Sequence, residues 1–190
     1  MTTTAFTQLP LSAEFTDNLT MLGYNTMTPI QEQSLPPILN GKDVLAQAKT
    51  GSGKTAAFGI GLLHPLKSQI YQTQALILCP VRELADQVSK EIRRLARAVP
   101  NTKILTLCGG TPIGPQFASL EHPPHIVVGT PGRILKHLQK ETLKLEHLKT
   151  LVLDEADRML DMGFYDDIMQ IIDKTPSQRQ SLLFSATWPN

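Results

Sequence analysis

The sequence predicts a three-layer α/β domain with a mostly parallel central sheet, preceded by a short helical extension. Three observations predict it. From Lys42 onward, six short apolar runs alternate with stretches of helix length. Those runs are unbroken rather than alternately apolar and polar, as in strands covered on both faces. The first 40 residues contain no such run and read as two helices. The chain therefore divides into an extension, residues 1–40, and the α/β domain, residues 41–190.

In the extension, a first helix is expected over residues 12–22. The second follows Thr28-Pro29, which supplies an N-cap hydroxyl and a proline at the first helical position. The strands are expected at residues 43–46, 75–79, 104–108, 126–129, 151–153 and 182–184. Between the second and third, Leu84, Val88, Ile92, Leu95, Ala96 and Val99 share one helix face. Asp86, Lys90, Arg94 and Arg97 lie mostly opposite, as a solvated face. Sheets of this kind bind ligands beyond the carboxyl ends of their strands. The unusual residues of this chain fall there.

Composition narrows the function. A chain of 190 residues forms one domain with a sizeable core. Apolar residues make up 41% and the mean hydropathy is −0.10, an ordinary globular balance. Eighteen Lys and Arg against 17 Asp and Glu leave a charge of +1. That excludes a domain held on nucleic acid by bulk positive charge, and equally an acidic disordered tail. Cys79 and Cys108 end apolar runs and read as buried thiols, not as a disulfide framework. No apolar run approaches the roughly twenty residues of a membrane span. Met1-Thr2-Thr3-Thr4 has neither a basic nor an apolar stretch, so no secretory leader and a cytoplasmic location are expected. The five histidines show no metal-binding spacing.

The strongest local signal is Ala48-Lys49-Thr50-Gly51-Ser52-Gly53-Lys54-Thr55, between the first strand and a helix expected over residues 56–66. Glycines let the backbone curl so that several amides face one phosphate chain, and the helix adds its positive end. Lys54 then reaches the β- and γ-phosphates of a nucleotide such as ATP, and the Thr55 hydroxyl sits on Mg²⁺. Ala48 stands where such loops usually begin with glycine, and a methyl fits there if the residue stays extended. Asp154-Glu155-Ala156-Asp157 closes the fifth run, about a hundred residues on. Asp154 at a strand tip is placed to hold Mg²⁺, and Glu155 to orient and deprotonate an attacking water. Taken alone, the same residues read as an acidic first helical turn.

Asp-Glu-Ala-Asp at 154–157, Ser185-Ala186-Thr187 and the glycine loop together resemble the DEAD-box RNA helicases. The likeness spans nearly the whole chain in the family's order. It includes Pro80-Val81-Arg82-Glu83-Leu84, Gly109-Gly110, Thr130-Pro131-Gly132-Arg133 and Met159-Leu160-Asp161-Met162-Gly163-Phe164. Residues 47–59 and 104–110 resemble its bacterial DbpA subgroup. The resemblance implies the first of two RecA-like P-loop domains of an ATP-dependent RNA helicase that unwinds short duplexes. Likeness to DbpA further implies ribosome assembly, with large-subunit ribosomal RNA as the target.

Residue by residue, the resemblance assigns Gln31, the Gly23-Tyr24 pair and Phe6 to adenine. An amide bonds N6 and N7 of that base, and an aromatic ring stacks on it. The residues themselves equally spell a capping box, with Gln31 reaching back to Thr28. Arg82, Gly109, Gly110, Thr130, Pro131, Gly132 and Arg133 are assigned to the RNA backbone, which glycine turns and a few arginines follow without reading bases. Val81 replaces the family's usual threonine and removes one hydroxyl. Ser185 and Thr187 are assigned, with Asp157, to coupling nucleotide state to RNA; unaided, they read as a cap or turn.

The chain ends just after the Ser-Ala-Thr element. The implied second RecA-like domain supplies arginine fingers, worth on the order of a thousandfold in rate. Little or no activity is therefore expected of this chain alone. Two other readings remain: an ATP-gated RNA clamp whose hydrolysis only resets binding, and a P-loop ATPase acting on DNA or protein.

Overall fold

A computed structural model describes residues 4–188. Residues 1–3, on which the leader reading rests, and residues 189–190 at the chain end lie outside the described residues. Six strands form one sheet: β1 (Val44–Gln47), β2 (Ala75–Leu78), β3 (Ile104–Leu107), β4 (Ile126–Gly129), β5 (Thr150–Asp154) and β6 (Gln180–Ser185). Their order is β1-β6-β5-β2-β4-β3, and every pairing is parallel. The sheet is thus wholly parallel, with an isolated antiparallel bridge between Ala5 and Thr26 outside it.

Side chains alternate across a strand, so each apolar run serves two cores. Ile77, Val152, Leu182 and Phe184 face α1 (Ala13–Met21), α2 (Pro29–Leu39), α3 (Lys54–Leu63) and α4 (Arg82–Leu95). Leu76, Leu78, Leu151 and Leu153 face α5 (Gly114–Leu120), α6 (Pro131–Gln139), α7 (Ala156–Asp161) and α8 (Tyr165–Asp173). Those are the three layers the sequence predicts. No helix among the described residues is long and apolar enough to cross a membrane.

Helix α3 lies deepest. Every residue from Ala56 to Leu63 is buried, and its glycines let neighbours approach. A Cβ at Gly59 would stand 2.7 Å from Leu95 Cδ1, and one at Gly61 would collide with Ile38. The helix starts at Lys54, two residues before the expected 56, and stops before Pro65, which cannot continue it. Its early start puts Lys54 and Thr55 in the first turn.

Candidate active site

The glycine loop is formed by two left-handed turns, Gly51 at φ 83° and Gly53 at φ 88°, the latter capping α3. Ala48 is buried and keeps a negative φ, its N–H donating to Ser185 O at 2.9 Å, so the alanine methyl is accommodated. The first turn of α2 grips the loop from outside. Thr28 Oγ1 donates to Ser52 O (2.8 Å), and Gln31 Nε2 donates to Gly53 O (3.0 Å). Lys49, Thr50 and Gly51 remain exposed at the rim.

Beneath the loop, Lys54 Nζ lies 2.9 Å from Asp154 Oδ1 and 3.9 Å from Glu155 Oε2. Lys54 and Asp154 are 5% and 0% exposed, so this pair sits in low dielectric. Burial pushes the Asp154 carboxyl up, against the pull of Lys54. Asp154 Oδ2 and Ser52 Oγ have no hydrogen-bond partner. An unpaired, buried carboxylate oxygen, with Thr55 lining the same cleft, offers the hard oxygen donors that Mg²⁺ takes. No cluster of three His, Cys, Asp or Glu suited to a metal occurs among the described residues, and Mg²⁺ needs only one or two carboxylates when phosphates complete its shell.

Glu155 adopts φ 55°, ψ 54°, a left-handed conformation that costs a non-glycine residue about 1 kcal/mol or more. That turn separates the Glu155 and Asp154 side chains and caps α7. A cleft of about 380 Å³ opens over these groups, walled on the far side by Tyr24 and by Leu84, Val88 and Glu91 of α4.

The adenine-assigned residues are placed otherwise than stacking on a base would need. Phe6 is 2% exposed, edge-on to Tyr24 at 6.0 Å between ring centres, because its apolar ring is drawn into the core with Leu19 and Met27. It presents no open face. Both poles of the Gln31 amide are engaged: Oε1 accepts from Thr28 N (2.9 Å) while Nε2 holds Gly53 O. The capping box is therefore formed, and it doubles as a clamp on the glycine loop. Tyr24 lines the cleft and donates its hydroxyl to Glu91, which also pairs with Arg94 at 3.1 Å. Burial and that carboxylate raise the Tyr24 phenol well above its usual value.

Sheet order brings the Ser-Ala-Thr element to this site. β6 lies between β1 and β5, so Ser185 ends its strand between the glycine loop and Asp154. Asp157 N donates to Ser185 Oγ (3.2 Å), Ser185 Oγ donates to Thr187 O (2.6 Å), and Thr187 Oγ1 donates to Asp157 Oδ2 (3.1 Å). Burial pushes the Asp157 carboxyl up, but these hydrogen bonds outweigh it and hold the group below its usual range.

The residues assigned to RNA gather on the other half of the same edge, past the tips of β2, β4 and β3. Arg82 starts α4, Gly109 and Gly110 follow β3, and Thr130 caps α6, whose first turn is Pro131, Gly132 and Arg133. Arg82, Gly109, Thr130, Gly132 and Arg133 line one shallow concavity of about 460 Å³. Pro131 is buried, and Gly110 turns the loop at φ 79°. Gly109 N donates to Thr130 Oγ1 (3.2 Å), tying the two loops together. Arg82 is exposed and only loosely paired with Asp86, at 3.8 Å. Arg133 is anchored, its Nη1 donating to Thr111 O (3.0 Å) and Gln116 Oε1 (3.1 Å). Sequence reasoning missed Gln116 and His137, which bonds the same amide oxygen at 2.7 Å. The available signal was the four-residue spacing of Arg133 and His137 on one helix face.

A family model described as DEAD/DEAH box helicase matches residues 28–190. The chain is 67% identical to the ATP-dependent RNA helicase DbpA of Escherichia coli (strain K12), over 90% of this chain and 38% of that protein. It is 49% identical to the ATP-dependent RNA helicase CshA of Listeria monocytogenes, over 98% of this chain and 36% of that one. The crystal structure of a DEAD box protein from the hyperthermophile Methanococcus jannaschii superposes with a TM-score of 0.92 at 43% identity, covering 97% of this chain and 50% of that one. The chain thus spans between about a third and a half of the length of these relatives. A match that takes in every strand and all but the first helix places the chain in the DEAD/DEAH box helicase family.

Proposed function

We propose that this domain binds ATP with Mg²⁺ and forms the first RecA-like half of a cytoplasmic, RNA-stimulated helicase that opens short duplexes. The observation that carries this reading is the buried Lys54–Asp154 pair, with Glu155 at its side, under the mouth of the glycine loop. Lys54 is held on Asp154 while no phosphate is present, and exchanges that partner for the β- and γ-phosphates. Asp154 and Thr55 would be the protein groups that hold Mg²⁺. Mg²⁺ when bound neutralises phosphate charge. Glu155, its side chain 17% exposed, accepts the proton of the attacking water. Amides of the first turn of α3 hold phosphate oxygens. One N–H and one oxygen lone pair of the Gln31 amide stay uncommitted beside the bonds to Gly53 O and Thr28 N, so the same side chain reads adenine while it holds the loop. The concavity around Arg82 and Arg133 takes the RNA backbone, and a second RecA-like domain closes over both halves of the edge. Asp157, Ser185 and Thr187 relay the nucleotide state. High identity to DbpA supports large-subunit ribosomal RNA as the target and ribosome assembly as the setting.

Strand displacement by the full-length protein tests the proposal. Glu155→Gln is expected to retain ATP and abolish both hydrolysis and duplex opening, and RNA to stimulate hydrolysis where DNA does not. Product formation that survives Glu155→Gln would leave only an ATP-gated clamp. Equal stimulation by DNA would point to a different P-loop ATPase. Stimulation by a large-subunit ribosomal RNA fragment no stronger than by unrelated RNA would remove the ribosomal assignment.

A further inference from the structure

A chain of buried polar groups runs behind Arg133 and is used by nothing described so far. Gln116 is 8% exposed and His137 0%. Gln116 Nε2 donates to Thr111 Oγ1 (3.0 Å) and Cys108 O (3.3 Å), and its Oε1 receives Arg133 Nη1. Since a guanidinium only donates, the amide oxygen must face it. That atom is also 2.7 Å from His137 Nε2, so this imidazole nitrogen carries the proton. His137 Nδ1 is then the acceptor, and Thr142 Oγ1 lies 2.9 Å from it. The Phe117 ring packs edge-on against the imidazole at 5.1 Å between centres. Burial first, then the charges of Arg133 and Lys136, lower the imidazolium to about 4, so the ring is neutral at physiological pH.

We propose that Gln116 and His137 are positioning residues that hold the Arg133 guanidinium, and with it the 109–111 turn, in the pose that meets a nucleic-acid phosphate. The inference rests on the RNA-backbone reading of the concavity. One amide oxygen accepts from both side chains, so the imidazole fixes the amide and the amide fixes the arginine. Arg133 Nη1 is committed to Thr111 O and Gln116, and its remaining donors stay available at the concavity. A buried amide set by three elements, α5, α6 and the turn after β3, is a rigid support for a charge that would otherwise roam.

The test measures binding of a fluorescent single-stranded oligouridylate of about ten nucleotides to this chain, by anisotropy across about 50–200 mM salt. Arg133→Ala is expected to weaken binding about tenfold and to flatten the salt slope by about 0.7, one phosphate contact on a single strand. Gln116→Ala keeps the charge, so it is expected to weaken binding about threefold to tenfold with the wild-type slope. In the Arg133→Ala background it should have no further effect on affinity. Affinity for a fluorescent ADP analogue stays within about twofold in all variants, where general damage to the fold would lower it. If Arg133→Ala leaves RNA affinity unchanged, the RNA reading of this face fails. If Arg133→Ala weakens binding but Gln116→Ala does not, or the two losses add, the positioning role alone is overturned. Should Gln116→Ala not fold, ¹⁵N spectra of the wild-type imidazole decide: an Nε2-protonated ring at neutral pH is expected, and an Nδ1-protonated ring overturns the role.

Discussion

Lys54→Met probes the buried ion pair directly. It removes the cation 2.9 Å from Asp154 Oδ1 and keeps most of the side-chain volume. Asp154 is 0% exposed and Oδ2 already lacks a partner, so the variant leaves a carboxylate with no compensating charge. Breaking a pair buried this deeply costs about 3–5 kcal/mol, up to half or more of a typical domain's stability. Burial already pushes the Asp154 carboxyl up in the folded state, and losing Lys54 pushes it further. An acid raised on folding binds more protons in the native state, so stability falls as pH rises through the titration and returns as pH is lowered. The maximum slope is about 1.4 kcal/mol per pH unit. Urea unfolding of wild type and variant between about pH 8 and pH 5 should therefore show a deficit that narrows with acidification. Lys54→Met combined with Asp154→Leu should recover most of the deficit at neutral pH. A deficit independent of pH, or no deficit, would refute the view that the pair is dry and mutually dependent.

Gly53→Ala forces an L-residue to φ 88° with its Cβ 2.5 Å from Gln31 Nε2; a loss of about 1–3 kcal/mol is expected by urea unfolding, with ATP-analogue binding weakened more than tenfold. Glu155→Gly relieves the left-handed residue and should raise stability by about 1 kcal/mol in thermal unfolding while eliminating ATP hydrolysis. Val81 caps α4 in an extended conformation without a side-chain acceptor, so Val81→Thr should add about 0.5–1 kcal/mol, a rise of about 1–4 °C in Tm, and strengthen RNA binding. Asp157 is held below its usual value, so its contribution is present above the unfolded value near 3.8 and lost as pH falls through the lower folded one; the Thr187 hydroxyl resonance should shift in that acid interval and not in Asp157→Asn.

All six strands were legible as unbroken apolar runs, since burial on both faces leaves little room for polar residues. Ends were less so. β6 begins at Gln180, two residues before its apolar run, because the Gln180 amide is satisfied by Ile38 O and Lys42 O (each 2.8 Å), allowing a polar residue into the sheet. The start of α3 was hidden for a similar reason: Lys54 pairs with a carboxylate about a hundred residues away in sequence, which no local pattern records. Strand order was not legible either, and it alone carries Ser185 between the glycine loop and Asp154. Motif residues marked the edge where the proposed site lies, but not their resting contacts. Phe6 follows the rule for apolar rings and goes inside. Gln116 and His137, ordinary in composition, matter only through three elements meeting.

The border between β5 and β2 has a mechanical consequence. Leu153 and Leu78 are paired across it, one step before Asp154 on one side and before the segment leading to Arg82 on the other. This joint is an apolar, fully hydrogen-bonded ladder with helices on both sides, so neither bank can slide past the other. If the glycine loop holds phosphate as proposed, work done at that bank reaches the opposite bank only over the rim, through loops or through a body that leans on both at once. On that proposal the domain is an anvil, and the stroke comes from what closes onto it.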